Sequence, residues 1–467
     1  MPRTTRTSTD PSQTAPDPHR FRRGLIATLA ALLIACGSLG AASILQGPKL
    51  EGAQLDATAA AAAPGQQLRL IVNQAVAAVT REHVSVVPAV PVTVQSQGSV
   101  IAITFRDALD YSTDYHIVVT GVTSSRGGAA ATLRTEVHTP GFGFDYLVRG
   151  SGSGSGSDRI VHAEVGSTDR TEIFSAPGIQ DFVPLDGALV VVRDDGQRTS
   201  RIDIVQVNGG NVETLTLPDT GAVDAITAVG TNLLYTLTSV GSDPIPRFDQ
   251  TLFRVDLQGQ HSSVPVKGLD GKPLTIDAWQ PIPGTGSVLL HGVDEGLLRY
   301  DPTATTPPVP FAYVPIMGGL SPDQKRLGTV DAFGANSLEL SSGTSTRINP
   351  APIDRKAPYA DLPTPIDATH AILRLAIPHG GRFTPEIVLN SATSHELYSP
   401  VGSAPQIHGY RLTSNGRYLI VEFEPDYLRS QPDGSLVNRQ PVSITTDVVD
   451  VRTGATVLEV AGFDARW

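Results

Sequence analysis

Two acidic clusters are the groups of residues in this sequence that best suit chemistry. Asp194 and Asp195 are adjacent, and Glu422, Glu424 and Asp426 occupy alternate positions. Carboxylates grouped in this way can bind calcium, or can serve as the paired acid and base of a glycoside hydrolase or lyase. Acidic pairs are also common in solvated turns, and this second interpretation is the one that we prefer for both clusters.

Histidine and cysteine add no recognisable site. The eleven histidines are scattered, and none of them belongs to the H-E-x-x-H motif of a zinc protease. Cys36 is the single cysteine, which excludes an intramolecular disulfide and a cysteine-based zinc site. No nucleophile elbow or phosphate-binding loop occurs in a strand–helix context. The sequence therefore predicts no catalytic residue, no metal ligand and no cofactor.

The composition indicates fold class and excludes one class of partner. With 467 residues, a net charge of −11 and 40% hydrophobic residues, the chain is long enough for two or three globular domains. Its 45 glycines and 36 prolines are typical of many short strands joined by turns, so we expect an all-β fold. The acidic balance argues against a nucleic-acid partner, because binding phosphates requires clustered lysine and arginine.

The first 45 residues consist of a basic tail and an uncharged stretch. Residues 1–23 carry five arginines against two aspartates, and residues 24–45 carry no charge. As a helix this stretch would be about 33 Å long, enough to cross a hydrocarbon core of roughly 30 Å. Because the arginines precede it, the positive-inside rule leaves the tail in the cytoplasm. We thus predict a single-pass transmembrane helix in a bacterial cytoplasmic membrane, with the bulk of the protein outside.

A second interpretation uses the same stretch. Leu33, Ile34, Ala35 and Cys36 resemble a bacterial lipobox, in which a signal peptidase cuts before a cysteine that is then acylated. Against it, the tail is long for a lipoprotein signal, and apolar sequence continues past the cysteine. Lipidation of Cys36 is therefore the alternative to an uncleaved anchor, and both place the bulk of the protein outside the membrane.

Two changes of pattern follow the apolar stretch. Residues 46–63 are rich in alanine and weakly charged, which is typical of a tether. From residue 64 onward, short strands of alternating apolar and polar residues are separated by turns, as at 69–72, 100–105 and 115–119. Six or seven such strands within about 75 residues predict a small β-sandwich.

The same region resembles bacterial immunoglobulin-like domains of surface and envelope proteins. The resemblance covers residues 64–140 and is carried by residues 71–76 (IVNQAV), 84–88 (VSVVP) and above all 109–122 (LDYSTDYHIVVTGV). Val137 departs from the family pattern, which more often has phenylalanine there. The resemblance implies an immunoglobulin-like spacer or adhesion module without catalysis.

Residues 141–467 contain a repeat. Each unit opens with an apolar residue, and successive openings lie 41 to 53 residues apart, at Phe182, Ile226, Trp279, Leu320, Ile366 and Ile407. A period of about 40–50 residues is typical of the four-stranded blades of a β-propeller, so we expect six or seven blades. The Gly/Ser run at 150–157 would be a hairpin loop of the first blade, or alternatively an interdomain linker.

Two turns in the repeats resemble those of WD40-like and TolB-like β-propellers. Residues 321–326 (SPDQKR) match an S-P-D-G-K/R turn with Gln324 in place of glycine, and residues 450–454 (DVRTG) match D-x-x-T-G. No Trp-Asp dipeptide occurs, so the repeat is not a strict WD40 array. The resemblance implies a closed propeller ring.

These features predict a membrane-tethered extracytoplasmic binding or scaffold protein, whose propeller recognises an envelope protein, a peptide or a glycan. The alternative is a propeller hydrolase or lyase that cleaves cell-wall polysaccharide. Acidic, histidine and arginine side chains converging at one mouth of the channel would favour the enzyme, whereas small and apolar side chains would favour binding. We also expect the first and last strands to join, with the strand at 455–460 and Trp467 at the seam.

Overall fold

The computed structural model describes most of the chain. The described residues are 22–23, 25–34, 47–150, 156–196, 199–207, 211–241, 245–352, 358–379, 382–435 and 437–467.

The predicted membrane anchor over residues 24–45 is wrong. Within the described part of the chain, no helix is long and apolar enough to cross a membrane. Residues 25–34 are helical, and ten helical residues rise only about 15 Å, half of the roughly 30 Å of a hydrocarbon core. The single-pass localisation predicted from that anchor is overturned with it. Cys36 lies outside the described residues.

The first seven strands form two sheets that share one core. One sheet has the order β1-β2-β5-β4 and the other β3-β6-β7. Their bounds are β1 Leu50–Gln54, β2 Gln67–Val72, β3 Val84–Val87, β4 Val92–Gln97, β5 Val100–Phe105, β6 Asp114–Val122 and β7 Ala131–His138, with a 3₁₀ turn at Arg81–His83. Alternate residues point inward, such as Leu68, Ile103 and Ile117, which are fully buried. We call this unit the sandwich; its immunoglobulin-like character stays a prediction.

The alanine-rich segment at 46–63 is folded in the structure, where composition predicted a tether. Strand β1 pairs with β2, and helix α1 (Ala57–Ala62) follows it. The side chain of Asp56 caps this helix by accepting a hydrogen bond from the Ala59 N–H at 2.9 Å. Ala60 and Ala61 are buried, because methyl side chains let the helix lie close to the sheets.

From residue 143 onward the strands form seven four-stranded antiparallel sheets, which we call blades 1 to 7. Six blades are made of consecutive strands. Blade 2 contains β11–β14 (Ile179–Leu185, Ala188–Gly196, Thr199–Gln206, Val212–Thr214), blade 3 β15–β18 (Gly221–Val229, Asn232–Ser239, Thr251–Asp256, Val264–Pro265) and blade 4 β19–β22 (Ile276–Ile282, Ser287–Gly292, Gly296–Tyr300, Val309–Tyr313). Blade 5 contains β23–β26 (Ile316–Leu320, Arg326–Asp331, Gly334–Glu339, Ser345–Arg347), blade 6 β27–β30 (Tyr359–Pro365, Ala371–His379, Arg382–Asn390, Ser394–Tyr398) and blade 7 β31–β34 (Gln406–Leu412, Tyr418–Glu424, Thr445–Asp450, Ala455–Ala461).

Blade 1 combines both ends of the ring. Its order is β10-β9-β8-β35, from β8 (Gly143–Val148), β9 (Asp158–Glu164), β10 (Arg170–Ala176) and the C-terminal β35 (Phe463–Arg466). The first and last strands are therefore joined, with Phe463 opposite Leu147. The strand at 455–460 does not make this joint: it belongs to β34, the fourth strand of blade 7. The strands that flank the Gly/Ser run pair with each other, as in a hairpin.

Seven clusters of buried side chains separate the blades, one at each boundary. Phe182 of blade 2, for example, packs with Leu147 of blade 1, and Ile420 of blade 7 packs with Phe144 of blade 1. The other five clusters lie between blades 2 and 3, 3 and 4, 4 and 5, 5 and 6, and 6 and 7. A boundary core between every neighbouring pair, including the last with the first, makes a closed seven-bladed ring with no open edge.

Candidate functional site

One end of the central channel forms a cavity of about 390 Å³, within the roughly 300–1,000 Å³ typical of small-ligand sites. We call it the mouth. The last residues of all seven inner strands line it, together with the turns that follow them. The lining residues are Val183, Pro184, Thr227, Ala228, Trp279, Gln280, Pro281, Pro283, Gly319, Leu320, Ser321, Pro322, Gln324, Thr364, Tyr410, Arg411, Leu412, Thr413, Ser414, Arg466 and Trp467.

Aromatic side chains dominate the larger lining residues. Trp279 and Trp467 are the two tryptophans of the chain, and both line the mouth. Trp467 is 41% exposed and meets the ring of Phe142 edge-on, with 5.7 Å between ring centroids. The Tyr410 hydroxyl reaches the carbonyl oxygen of Ile372 at 3.0 Å, and burial raises the pKa of this phenol. Tyr410 therefore stays neutral and fixed in position.

Arg466 is held by two carboxyl groups. Its Nη2 donates to Oδ1 of Asp181 at 2.8 Å, and its Nε donates to Oδ1 of Asp464 at 2.7 Å. Oδ2 of Asp464 is buried without a hydrogen-bond partner. Burial raises the pKa of Asp181 well above its ordinary value, and the neighbouring Asp464 adds to this. Burial opposes ionisation of Asp464 as well, but attraction to Arg466 and Arg411 leaves its pKa lowered. Asp181 is thus the carboxyl that keeps its proton.

Arg411 is also occupied. Its Nη2 donates to the carbonyl oxygen of Ala465, and its Cζ lies 4.9 Å from the ring centroid of Trp467, in cation–π contact. Burial lowers the pKa of this guanidinium, while Glu422 acts in the opposite direction. Glu422 itself accepts the Ala465 N–H at 3.3 Å. The two guanidinium groups of the mouth are therefore compensated from behind by three carboxyl groups, which we call the clasp together with both arginines (Asp181, Arg411, Glu422, Asp464 and Arg466).

The predicted acidic clusters do not form a site. Asp194 lies on β12, Glu422 and Glu424 lie on β32, and none of these side chains lines the mouth. Glu424 accepts a hydrogen bond from the Ser443 hydroxyl at 3.1 Å, and Asp426 accepts one from Ser403 at 2.6 Å. Over the described ranges, no three His, Cys, Asp or Glu residues are grouped so that they could hold a metal ion.

A recurring acidic position was missed by sequence reasoning. All seven inner strands have a bulge or register shift at their first half. In three blades an aspartate at or beside this shift binds a side chain of the second strand: Asp224 to Thr238 (2.7 Å), Asp277 to His291 (2.5 Å) and Asp361 to Arg374 (2.7 Å). An apolar residue followed by Asp-Ala, as at 223–225, 276–278 and 463–465, is the signal that could have identified it.

The sandwich lies against the same end of the ring as the mouth. Asn415, in the turn after β31, donates its amide to the Leu109 carbonyl at 3.0 Å. The Tyr111 ring stacks on Tyr418, with centroids 6.0 Å apart. A second approach is made at blade 4, where a Cβ placed on Gly284 would lie only 3.1 Å from the Cβ of Ala63. The sandwich therefore reaches from blade 7 to blade 4 beside the opening.

The opposite end of the channel carries a strap, the loop between β32 and β33. Its Asp433 accepts from Arg149 Nε of blade 1 at 2.9 Å, and its Asn438 amide donates to the Gln180 carbonyl of blade 2 at 2.8 Å. The Arg149 guanidinium also lies 5.2 Å from the ring centroid of Phe463. The strap thus links blades 7, 1 and 2 over the seam, at the end away from the mouth.

No family model matches the chain, and no curated protein matches it. Solved structures with some similarity are propellers of several kinds. A putative 6-phosphogluconolactonase from Bacteroides uniformis is 14% identical with a TM-score of 0.38, over 65% of this chain and 99% of that one. TolB from Acinetobacter baumannii is 10% identical with a TM-score of 0.35, over 76% and 79%. The fold of this chain, a seven-bladed β-propeller preceded by a two-sheet unit, rests on its own sheets and boundary cores.

Proposed function

We propose that the protein is a binding or scaffold protein whose mouth recognises an envelope protein, a peptide or a glycan. The observation that carries the proposal is the lining of the mouth: both tryptophans and Tyr410 are presented there, and no lining residue is Asp, Glu or His. Rigid aromatic side chains give large contact areas at low entropic cost, which is why they dominate recognition sites.

The enzyme alternative fits the mouth poorly. A glycoside hydrolase of the common type needs two carboxyl groups facing the substrate, about 5–10 Å apart. The carboxyl groups nearest the mouth, Asp181 and Asp464, are engaged by Arg466 and are mostly buried. Neither one lines the cavity, so neither can exchange a proton with a bound sugar there.

We place the protein outside the cytoplasm, on the strength of the sequence alone. The lipobox-like residues Leu33 to Cys36 support attachment through a lipidated cysteine. Mass spectrometry of the membrane fraction tests this: the expected mature N-terminus is a diacylated Cys36, and the variant Cys36→Ser should lose it. An N-terminus elsewhere in both proteins would contradict lipidation.

The tryptophans provide the test of binding. Because the chain has two tryptophans and both line the mouth, intrinsic fluorescence reports on this site alone. The full-length protein is titrated with a random peptide library, with soluble envelope protein fractions and with peptidoglycan fragments. We expect one class to shift the emission, and Trp279→Ala to weaken its binding by about tenfold. Phe333→Ala is the matched control, since Phe333 is 88% exposed and lies outside the mouth. Binding that survives in Trp279→Ala would move the site elsewhere.

A further inference from the structure

The charges of the mouth cancel before any ligand arrives. Two arginines in a cavity ordinarily indicate an anionic ligand, because free guanidinium N–H groups bind carboxylates and phosphates. Here Arg466 uses Nη2 and Nε on Asp181 and Asp464, and Arg411 is turned to Ala465 and Trp467. With Asp181 protonated the clasp is neutral, and with Asp181 ionised its charge is −1. An anion would therefore meet no net positive charge in the mouth.

The inner strands are also poorly suited to pairing with an extended peptide. A peptide that adds as a strand needs a row of backbone N–H donors along a free edge. The lining contains prolines at 184, 281, 283 and 322, and Pro184 and Pro281 stand within the inner strands β11 and β19. Proline has no N–H, and on an edge strand it is tolerated where its nitrogen faces away from the ladder, here toward the channel.

What the mouth does offer is aromatic surface beside neutral polar groups. Trp279 and Trp467 supply apolar ring faces. The Gln324 amide donates one N–H to the Pro283 carbonyl at 2.9 Å, which fixes its orientation and leaves a second N–H and two oxygen lone pairs. Gln280 is held in a similar way, by a bond of 3.2 Å to the Pro281 carbonyl. Such groups are complementary to a sugar ring, which has apolar C–H faces and a rim of hydroxyls that both donate and accept.

We infer that the mouth is a binding site for an uncharged glycan. The inference rests on the proposed binding function and narrows it to one ligand class. Sugar rings would stack on the tryptophans, and their hydroxyl or N-acetyl groups would meet the amides of Gln280 and Gln324. The compensated arginines then act as fixed walls of the cavity, not as ligand-binding groups.

A glycan array that contains neutral and acidic oligosaccharides of matched length is the test, with the full-length protein as the probe. We expect the bound set to be neutral. For the best neutral glycan, fluorescence titration should show saturation, a Kd at least about tenfold lower than for its uronic acid counterpart, and a loss of about tenfold in Gln324→Ala. Phe333→Ala should bind as the wild type does.

The possible results separate the inference from the proposed function. Preferential binding of acidic glycans would overturn the neutral class, and an array with no bound neutral glycan would overturn the inference as a whole. A peptide that saturates the tryptophan signal on such a background would leave the proposed binding function standing without its glycan. Neutral glycan binding that is unchanged in both Trp279→Ala and Gln324→Ala would show that the sugar site lies outside the mouth.

Discussion

Nη2 of Arg452, in the outer turn of blade 7, donates to both carboxylate oxygens of Asp110 in the sandwich, at 2.7 and 2.6 Å. The contact raises the pKa of the arginine, because the carboxylate stabilises the guanidinium. Together with the Tyr111 ring, this ion pair holds the sandwich beside the mouth. The two folded units are therefore connected by a charge pair as well as by an aromatic stack.

Breaking this pair should loosen the junction. We expect Arg452→Glu to put two like charges together, to lower the unfolding free energy by about 1 kcal/mol, and to speed proteolysis between residues 138 and 143. The reverse pair, Asp110→Arg with Arg452→Glu, should restore resistance. Arg429→Glu is the control, since that side chain is 89% exposed and only 3.8 Å from Asp426. Equal proteolysis of all variants would contradict a role for the pair.

The clasp predicts opposite outcomes for two similar substitutions at neutral pH. Asp181→Asn should change the unfolding free energy by less than about 1 kcal/mol, because the amide mimics a protonated carboxyl and can donate to Oδ2 of Asp464. Asp464→Asn removes the charge that Arg466 and Arg411 require, and should cost about 2–4 kcal/mol. Chemical denaturation followed by circular dichroism measures both. If Asp181→Asn is the more damaging variant, the proton has been assigned to the wrong residue.

A single buried aspartate predicts part of the pH dependence of stability. Asp447 accepts a hydrogen bond from the Tyr398 hydroxyl at 2.9 Å, and burial raises its pKa to about 6. Since this folded-state pKa exceeds the ordinary 3.8, the folded protein binds more protons than the unfolded chain between the two values. The contribution of Asp447 is thus complete below pH 3.8 and is lost as the pH rises through about 6.

Asp447→Asn should abolish this component. We expect the unfolding free energy of the wild type to fall, relative to that of the variant, as the pH rises from about 4 to about 7. Urea denaturation at four pH values within this range provides the comparison. Parallel curves for the two proteins would mean that Asp447 titrates normally in the folded state.

Removing residues 463–467 should open the ring. The deletion takes away β35, exposes the edge of β8, and removes Phe463 from the core between blades 1 and 2. Loss of a buried phenylalanine alone costs about 3–5 kcal/mol, and the unpaired edge favours aggregation. Scanning calorimetry should show a broad, non-cooperative transition, whereas a chain without residues 1–19 should melt as the wild type does. A cooperative, unshifted transition in the shortened protein would contradict closure through β35.

The sequence was informative about the repeat and uncertain about its number for a physical reason. The openings at Phe182, Ile226, Trp279, Leu320, Ile366 and Ile407 fall on or just after the inner strands of blades 2 to 7, so six units are visible. Blade 1 is divided between β8–β10 and β35, and a period cannot reveal a unit whose parts stand at opposite ends of the chain. The four-residue β35 is also too short to give an alternating pattern.

The mouth could not be predicted from sequence. Its residues come from seven separate strands, and Trp279 and Trp467 are brought together by ring closure alone. The acidic clusters were conspicuous because their members are adjacent, yet adjacency along a strand sends successive side chains to opposite faces. Alanine composition misled at 57–62 for a related reason: a low-complexity run reads as a spacer, but buried methyl groups fit a tightly packed core.

The position of β35 sets the order of events during synthesis. Phe463 pairs with Leu147, so β8 must wait for its partner until almost the whole chain has been made. Blades 2 to 7 are assembled from contiguous segments and can form as they emerge, whereas closure has to overcome the chain entropy of a very long loop. In a nascent chain the inner edge of blade 1 is therefore the last surface to be covered. It is the place where a chaperone, or a neighbouring unfinished copy, can intervene before the ring is sealed.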